Sequence, residues 1–430
     1  MKEKAIRILE LALKLLAWAM LMRYRPAIVG ITGSAGKTTA KFATAAALKG
    51  ERFVRVAGGN FNNELGLPLS ILGNYTKISG FFFWPRVIAR AIWKLISRGS
   101  YPEILILEYG IDRPGDMKKL LEIAKPGVGI VTAIGEIPVH VEFFAGPEAV
   151  AREKARLLEA LPAAGFAALN YDDATAAKMR DRTRARILTY GFGEGADIRI
   201  VNFETRSELD APLGISFKLE YGGSYVPVRL DGVFGKAHAY AAAAGACVGL
   251  VFGVNLVNIA EGLNLFYKPM RGRMMLLPGI KESWIIDDSY NASPLAMHAA
   301  LDTLREIKAK RKVAILGDML EIGHYTVEAH EEMGRLAAGV VNFLVTVGPR
   351  GKFIAYATKK YGLPRRNIIS FDTADEARLP VQELIRKGDV VLVKASRAIQ
   401  LEKVVMEIEL PKAVQKTNLE AQNNIGNQSK

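Results

Sequence analysis

The 430-residue chain has one cysteine, Cys247, which excludes an internal disulfide and any cysteine-based zinc site. Its five histidines leave little material for a multi-histidine metal centre. No apolar run reaches the roughly 20 residues needed to span a bilayer, and no convincing cleavage site makes a signal peptide of the N-terminus. Internal repeats are lacking. Acidic residues are in deficit, 44 Asp and Glu against 58 Lys and Arg, a formal charge of +14. That excess suits anionic partners: a nucleotide, an acidic substrate or a lipid surface. The basic residues are scattered and accompany no nucleic-acid motif, so nucleic acid is not expected among the partners.

What is present starts with Thr32-Gly33-Ser34-Ala35-Gly36-Lys37-Thr38-Thr39, directly after the apolar run Ala27-Ile28-Val29. A short buried strand, a glycine-rich turn and a helix from Lys37 make a phosphate cradle. Backbone N–H groups close on the phosphates, Lys37 neutralises their charge, and the Thr38 hydroxyl binds Mg²⁺. The strict Walker spacing would put glycine at Ile31; Gly30 is one place early. The pattern predicts a protein that uses a nucleoside triphosphate, with Gly33, Ser34, Ala35, Gly36, Lys37, Thr38 and Thr39 at ATP.

Half the residues are hydrophobic, and the length suits two or three domains. Residues 1–26 carry an amphipathic helical pattern in which Arg7, Glu10 and Lys14 share one face. Residues 27–267 alternate buried-strand runs (103–108, 127–132) with helices, then change character. Ile198/Ile200, Ile215/Phe217/Leu219 and Val226/Val228/Leu230 alternate with polar residues, as half-solvated antiparallel strands do. A joint near Tyr267-Lys268-Pro269 opens a second α/β pattern over 268–411, and the polar segment 412–430 reads as a disordered tail. The predicted class is α/β: a central P-loop domain with a parallel sheet plus a small antiparallel sheet, then a Rossmann-like C-terminal domain.

Ligands of open α/β sheets gather at the carboxyl ends of strands. One such end carries the phosphate loop, another Glu108-Tyr109-Gly110, and a third leads through Thr132-Ala133-Ile134-Gly135 to His140 and Glu142. A carboxylate and an imidazole beside a phosphate cradle suit more than one Mg²⁺, although Mg²⁺ prefers oxygen. Lys154 lies on the apolar side of the helix 147–161, with Val150, Leu157, Leu158 and Leu161. Periodicity leaves two readings of it open: a packed stem with its ammonium in water, or a desolvated, reactive amine.

Six blocks, in order, extend this set: the phosphate loop, Gly59-Asn60-Phe61-Asn62-Asn63-Glu64-Leu65-Gly66-Leu67-Pro68, Glu108-Tyr109-Gly110-Ile111-Asp112-Arg113-Pro114-Gly115, Asp287-Asp288-Ser289-Tyr290-Asn291-Ala292-Ser293-Pro294, Leu316-Gly317-Asp318-Met319-Leu320-Glu321-Ile322-Gly323 and Lys394-Ala395-Ser396-Arg397. With them the chain resembles the Mur ligases of peptidoglycan synthesis, in particular the branch that adds D-Ala-D-Ala to UDP-N-acetylmuramoyl-tripeptide. The resemblance implies an ATP- and Mg²⁺-dependent peptide ligase that works through an acyl phosphate. It implies catalytic roles for Lys37, His140 and Lys154, the lysine being carbamylated, and Mg²⁺ held by Thr38, Glu108, His140 and that carbamate. It selects the reactive reading of Lys154.

It further implies that Arg273, Asp288, Tyr290 and Asn291 meet the nucleotide. Asn62, Asn63, Lys394, Ser396 and Arg397 would meet the muramoyl-peptide acceptor or D-Ala-D-Ala. Three departures stand out. Only about 26 residues precede the strand that leads into the loop, where the family carries a UDP-binding domain of small-domain size. Ala237-His238 replaces a His-Asn pair, and Ala395 replaces a glycine. Alternative readings are a lipid-linked or poly-amino-acid acceptor, or a catalytically silent nucleotide-binding scaffold. A cytoplasmic monomer is expected, with peripheral contact at the inner membrane face through residues 5–22 and 81–96, where Phe81-Phe82-Phe83-Trp84 leads a basic, apolar helix.

Overall fold

The structure, a computed structural model, describes residues 2–59, 61–97, 99–208 and 211–411; the segment expected to be a disordered tail, 412–430, lies outside them. The chain forms two compact units. Among the described residues, the first comprises 2–203, 216–230 and 237–267, the second 204–215, 231–236 and 268–411.

In the first unit, parallel strands β1 (Ala27–Thr32), β2 (Val54–Val56), β3 (Ile104–Glu108), β4 (Val128–Val131), β5 (Phe166–Asn170) and β6 (Arg186–Gly191) stand in the order 2-3-1-4-5-6. Every residue of β3 and β4 is buried, which is why these strands read as unbroken apolar runs. β7 (Ile198–Glu208), β8 (Ala211–Tyr221) and β9 (Ser224–Asp231) follow. Gly222-Gly223, both at positive φ, make the two-residue hairpin that joins β8 to β9 antiparallel. The eight alternating residues named for these strands are all buried, none more than 8% exposed.

These strands do not stand apart as their own sheet. β6 pairs parallel with β7 through Tyr190–Ile198 and Gly191–Arg199, so one nine-stranded sheet results. Helices α1 (Lys2–Tyr24), α2 (Lys37–Leu48), α3 (Gly66–Leu72), α4 (Phe83–Ile96), α5 (Asp116–Ile123) and α6 (Pro147–Glu159) belong to this unit. α1 packs Leu13, Ala17 and Met20 into the core, together with Leu67 and Leu69 of α3.

The second unit carries six strands: β10 (Met275–Pro278), β11 (Trp284–Asp288), β12 (Arg311–Gly317), β13 (Phe343–Val347), β14 (Ile368–Phe371) and β15 (Asp389–Lys394). Their order is 10-11-15-12-13-14, with only β10 antiparallel. β15, buried at all six positions, lies between β11 and β12. The carboxyl ends of these three strands therefore sit side by side, and the Asp288, Gly317 and Lys394 blocks with them.

Candidate active site

β1 lies between β3 and β4, and a row of threonine hydroxyls ties the three strand ends together. The Thr132 hydroxyl donates to the Thr32 carbonyl, and the Thr32 hydroxyl donates to the Tyr109 carbonyl, both at 3.1 Å. The phosphate loop leaves from this row. Gly33 (φ 145°) turns so tightly that an added Cβ would lie 1.9 Å from Thr132 Oγ1. Gly36, at φ 83°, starts α2 without a side-chain cap, so the first-turn amides present their positive end outward. The Ser34 and Ala35 amides instead donate to Ala133 O. They anchor the loop to Ala133, two residues past the end of β4. Gly33→Ala is expected to cost ATP binding at least tenfold, since strain and clash fall on the cradle itself; nucleotide titration by calorimetry checks it.

Lys37 and Lys154 meet here. Both ammonium groups donate to the Gly33 carbonyl, at 2.9 and 3.0 Å. Lys154 is 1% exposed. Burial pushes its amine well below the ordinary lysine range, the Lys37 charge pushes the same way, and Asp112 and Glu153 oppose them. The side chain does not snorkel to water.

Glu108 closes β3 and is buried. The Thr38 hydroxyl donates to its two oxygens at 3.1 and 3.3 Å, the Asn62 amide donates at 3.4 Å, and Lys41 Nζ lies 3.3 Å away. Thr38 and Glu108 thus form an oxygen pair one residue from Lys37, a donor chemistry that fits Mg²⁺. His140, at φ 71°, has Nε2 3.4 Å from Asp112 Oδ1. The loop before it is fixed by Asp173, whose carboxylate accepts from the Ile134 and Gly135 amides. Among the described residues no group of three or more His, Cys, Asp or Glu side chains could by itself hold a metal ion. A Mg²⁺ here would therefore depend on hydroxyl, phosphate and water oxygens as well.

Two residues at this site were missed in the sequence. Lys41 is 2% exposed, paired with Glu108, and donates to Gly59 O at 3.2 Å. Its signal was a lysine within the stretch Ala40–Leu48, apolar apart from Thr44, the same criterion that singled out Lys154. Asp112 bridges the surroundings of His140 and Lys154 and stood inside the Glu108 block. Asn63, expected at the acceptor, uses its side-chain oxygen on the Gly66 amide at the start of α3.

In the second unit the predicted residues gather at the ends of β11 and β15. Lys394 pairs with Asp288 at 2.5 Å in the interior and also donates to Asn291 O. Asp288 accepts the Met274 amide as well, and burial lifts its carboxyl above the ordinary aspartate range against the pull of Lys394 and Arg273. Arg273 and Arg397 both lie over the Tyr290 ring, 4.1 and 5.3 Å from its centre. Ser396 is buried, and its hydroxyl accepts the Leu320 amide. His238, at the departure from the usual His-Asn pair, is buried against the Tyr267 hydroxyl at 2.6 Å.

Residues 92–248 match the Mur ligase middle domain and residues 272–397 the Mur ligase glutamate ligase domain. A UDP-N-acetylmuramoyl-tripeptide–D-alanyl-D-alanine ligase of Mycobacterium tuberculosis is 32% identical over 394 residues, which cover 87% of this chain and 71% of the relative. One from Bacillus subtilis is 28% identical, over 92% and 79%. Among solved structures, MurF ligase from Thermotoga maritima in complex with ADP superposes with a TM-score of 0.76 at 28% identity, covering 93% of this chain and 83% of that one. MurF from Acinetobacter baumannii gives 0.75 at 25%, over 93% and 80%. With two family domains in order and a relative matched over most of both lengths, the chain belongs to the Mur ligase family.

Proposed function

We propose that this protein is an ATP-dependent peptide ligase that joins D-Ala-D-Ala to UDP-N-acetylmuramoyl-tripeptide, forming ADP and phosphate. The observation that carries the reading is the meeting of Lys37 and a desolvated Lys154 on the Gly33 carbonyl, one residue from the Thr38–Glu108 pair. In this reading the first-turn amides of α2 and Lys37 hold the transferring phosphoryl group of ATP and spread its charge. The acceptor's terminal carboxylate takes that group, the incoming amine attacks the resulting acyl phosphate, and phosphate leaves. Thr38, Glu108, His140 and Lys154, once its neutral amine has taken up CO₂ and lost a proton, would hold Mg²⁺, which supplies charge neutralisation between phosphate and carboxylate.

Arg273 and Arg397 against Tyr290 offer a cationic, aromatic surface that suits a nucleotide's base and phosphates. Lys394 keeps Asp288 and Asn291 in place there, with Asn291 at the ribose or base. Asn62 holds Glu108, while Asn63 and Ser396 shape loops that face the acceptor and the dipeptide. The reaction belongs in the cytoplasm, in a monomer with peripheral contact at the inner membrane face; among the described residues no helix is long and apolar enough to cross a membrane.

The test is incubation of the full chain with ATP, Mg²⁺, UDP-N-acetylmuramoyl-tripeptide and D-Ala-D-Ala. Phosphate release that requires both peptides, with the joined product seen by mass spectrometry, is expected. Turnover only with a lipid-linked or poly-amino-acid acceptor replaces the acceptor and keeps the chemistry. ATP binding without turnover on any acceptor makes the protein a scaffold.

A further inference from the structure

α1 is apolar on two opposite sides, and the fold uses one. Leu13, Ala17 and Met20 are fully buried, whereas Ile8, Leu11, Leu15, Trp18 and Met22, spaced 3-4-3-4, are each 57–69% exposed. α4 is similar: it buries only Val87 and Ala91 and leaves Trp93 and Ile96 69% and 72% exposed, with Phe81 and Phe82 just before it at 89% and 67%. The two helices are joined, since the Tyr24 hydroxyl donates to Lys94 O at 2.6 Å. Soluble proteins rarely leave apolar stripes of this extent in water without a partner for them.

Charge identifies the partner. From Leu65 to Pro102 there is no acidic residue, while Lys77, Arg86, Arg90, Lys94 and Arg98 are basic. A second copy related by a twofold axis would set this basic stretch against itself. A bilayer surface bearing anionic headgroups would neutralise it while taking up the aromatic side chains. We infer that the exposed faces of α1 and α4 form a docking surface for anionic lipid membranes. The inference names the surface and lipid class of the peripheral contact proposed with the ligase reading, and its chemistry is independent of that reading.

The full chain should co-sediment at low salt with vesicles of phosphatidylglycerol and phosphatidylcholine but not with phosphatidylcholine alone, and tryptophan emission should shift to the blue on binding. Trp18→Ser/Trp93→Ser and Arg86→Glu should each weaken binding at least tenfold, and added salt should weaken it for the wild type. Soluble-acceptor turnover without vesicles should be the same in these variants, which keeps a failure of docking distinct from a failure of the ligase reading. No binding by the wild type, or binding indifferent to these substitutions, overturns the inference. So does a wild-type dimer, seen by sedimentation velocity, that the substitutions dissociate in a protein that ignores vesicles.

Discussion

Lys154→Met is expected to lower ligase turnover by about 10²–10³-fold or more, the scale of losing a preorganised charge at a reacting phosphoryl group. ATP affinity should change little and the melting temperature should hold or rise. These outcomes come from one cause. The Lys154 ammonium is sealed from water and shares the Gly33 carbonyl with Lys37, so its protonated form is disfavoured. A neutral amine is the form that can take up CO₂, and the depressed pKa extends its availability toward neutral pH.

The same depression makes stability depend on pH. Between the lowered folded-state pKa and the ordinary lysine value the unfolded chain binds more protons than the folded one. Lys154 therefore favours folding least at the acid end of that window and most above the unfolded value. Methionine fills much of the same space without a charge, so the variant should lose this slope and keep its fold. Activity measured against pH and bicarbonate, beside thermal melts of both proteins across the same pH range, checks the argument. Full turnover in Lys154→Met would remove the amine from the chemistry; a large drop in melting temperature would mean that its contact with Gly33 O is structural.

The parts of this site legible in the sequence are those whose physics is local. β3 and β4 are buried on both faces, so their residue types alone mark them. The phosphate loop is a continuous string whose glycines answer to backbone geometry at Gly33 and Gly36. The alternation in β8 and β9 is a period of two, visible without a partner strand. What escaped depends on the meeting of distant segments. Whether Ile198 begins a new sheet or extends the old one is decided by its pairing with Tyr190, which composition does not register. Lys394, expected at the substrate, also has an interior ion partner in Asp288, 106 residues earlier, a pairing that composition does not register either. α1 was legible as amphipathic, but the single charged face read from Arg7, Glu10 and Lys14 concealed two apolar stripes, one buried and one exposed.

Lys41→Met is expected to destabilise the protein by about 3–5 kcal/mol, the usual result of removing one partner from a fully buried ion pair. The two side chains are 2% and 3% exposed. Neither charge has water to fall back on, and the substitution takes the ammonium from beside a carboxylate that the end of β3 holds in the interior. Glu108→Gln should also destabilise, because it leaves the Lys41 charge in the same position. The double variant, Lys41→Met/Glu108→Gln, should be more stable than the sum of its parts, with a coupling of about 1–3 kcal/mol, as for residues in one buried network. Urea denaturation of the full chain, followed through tryptophan fluorescence, measures the cycle, and strictly additive losses would show that the pair contributes nothing as a pair. Function should divide differently from stability. The double variant regains much of its stability but has lost the carboxylate that the Thr38 hydroxyl meets, so its turnover should stay low and its Mg²⁺ requirement should rise. Stability and turnover recovering together would mean that Glu108 serves the fold alone.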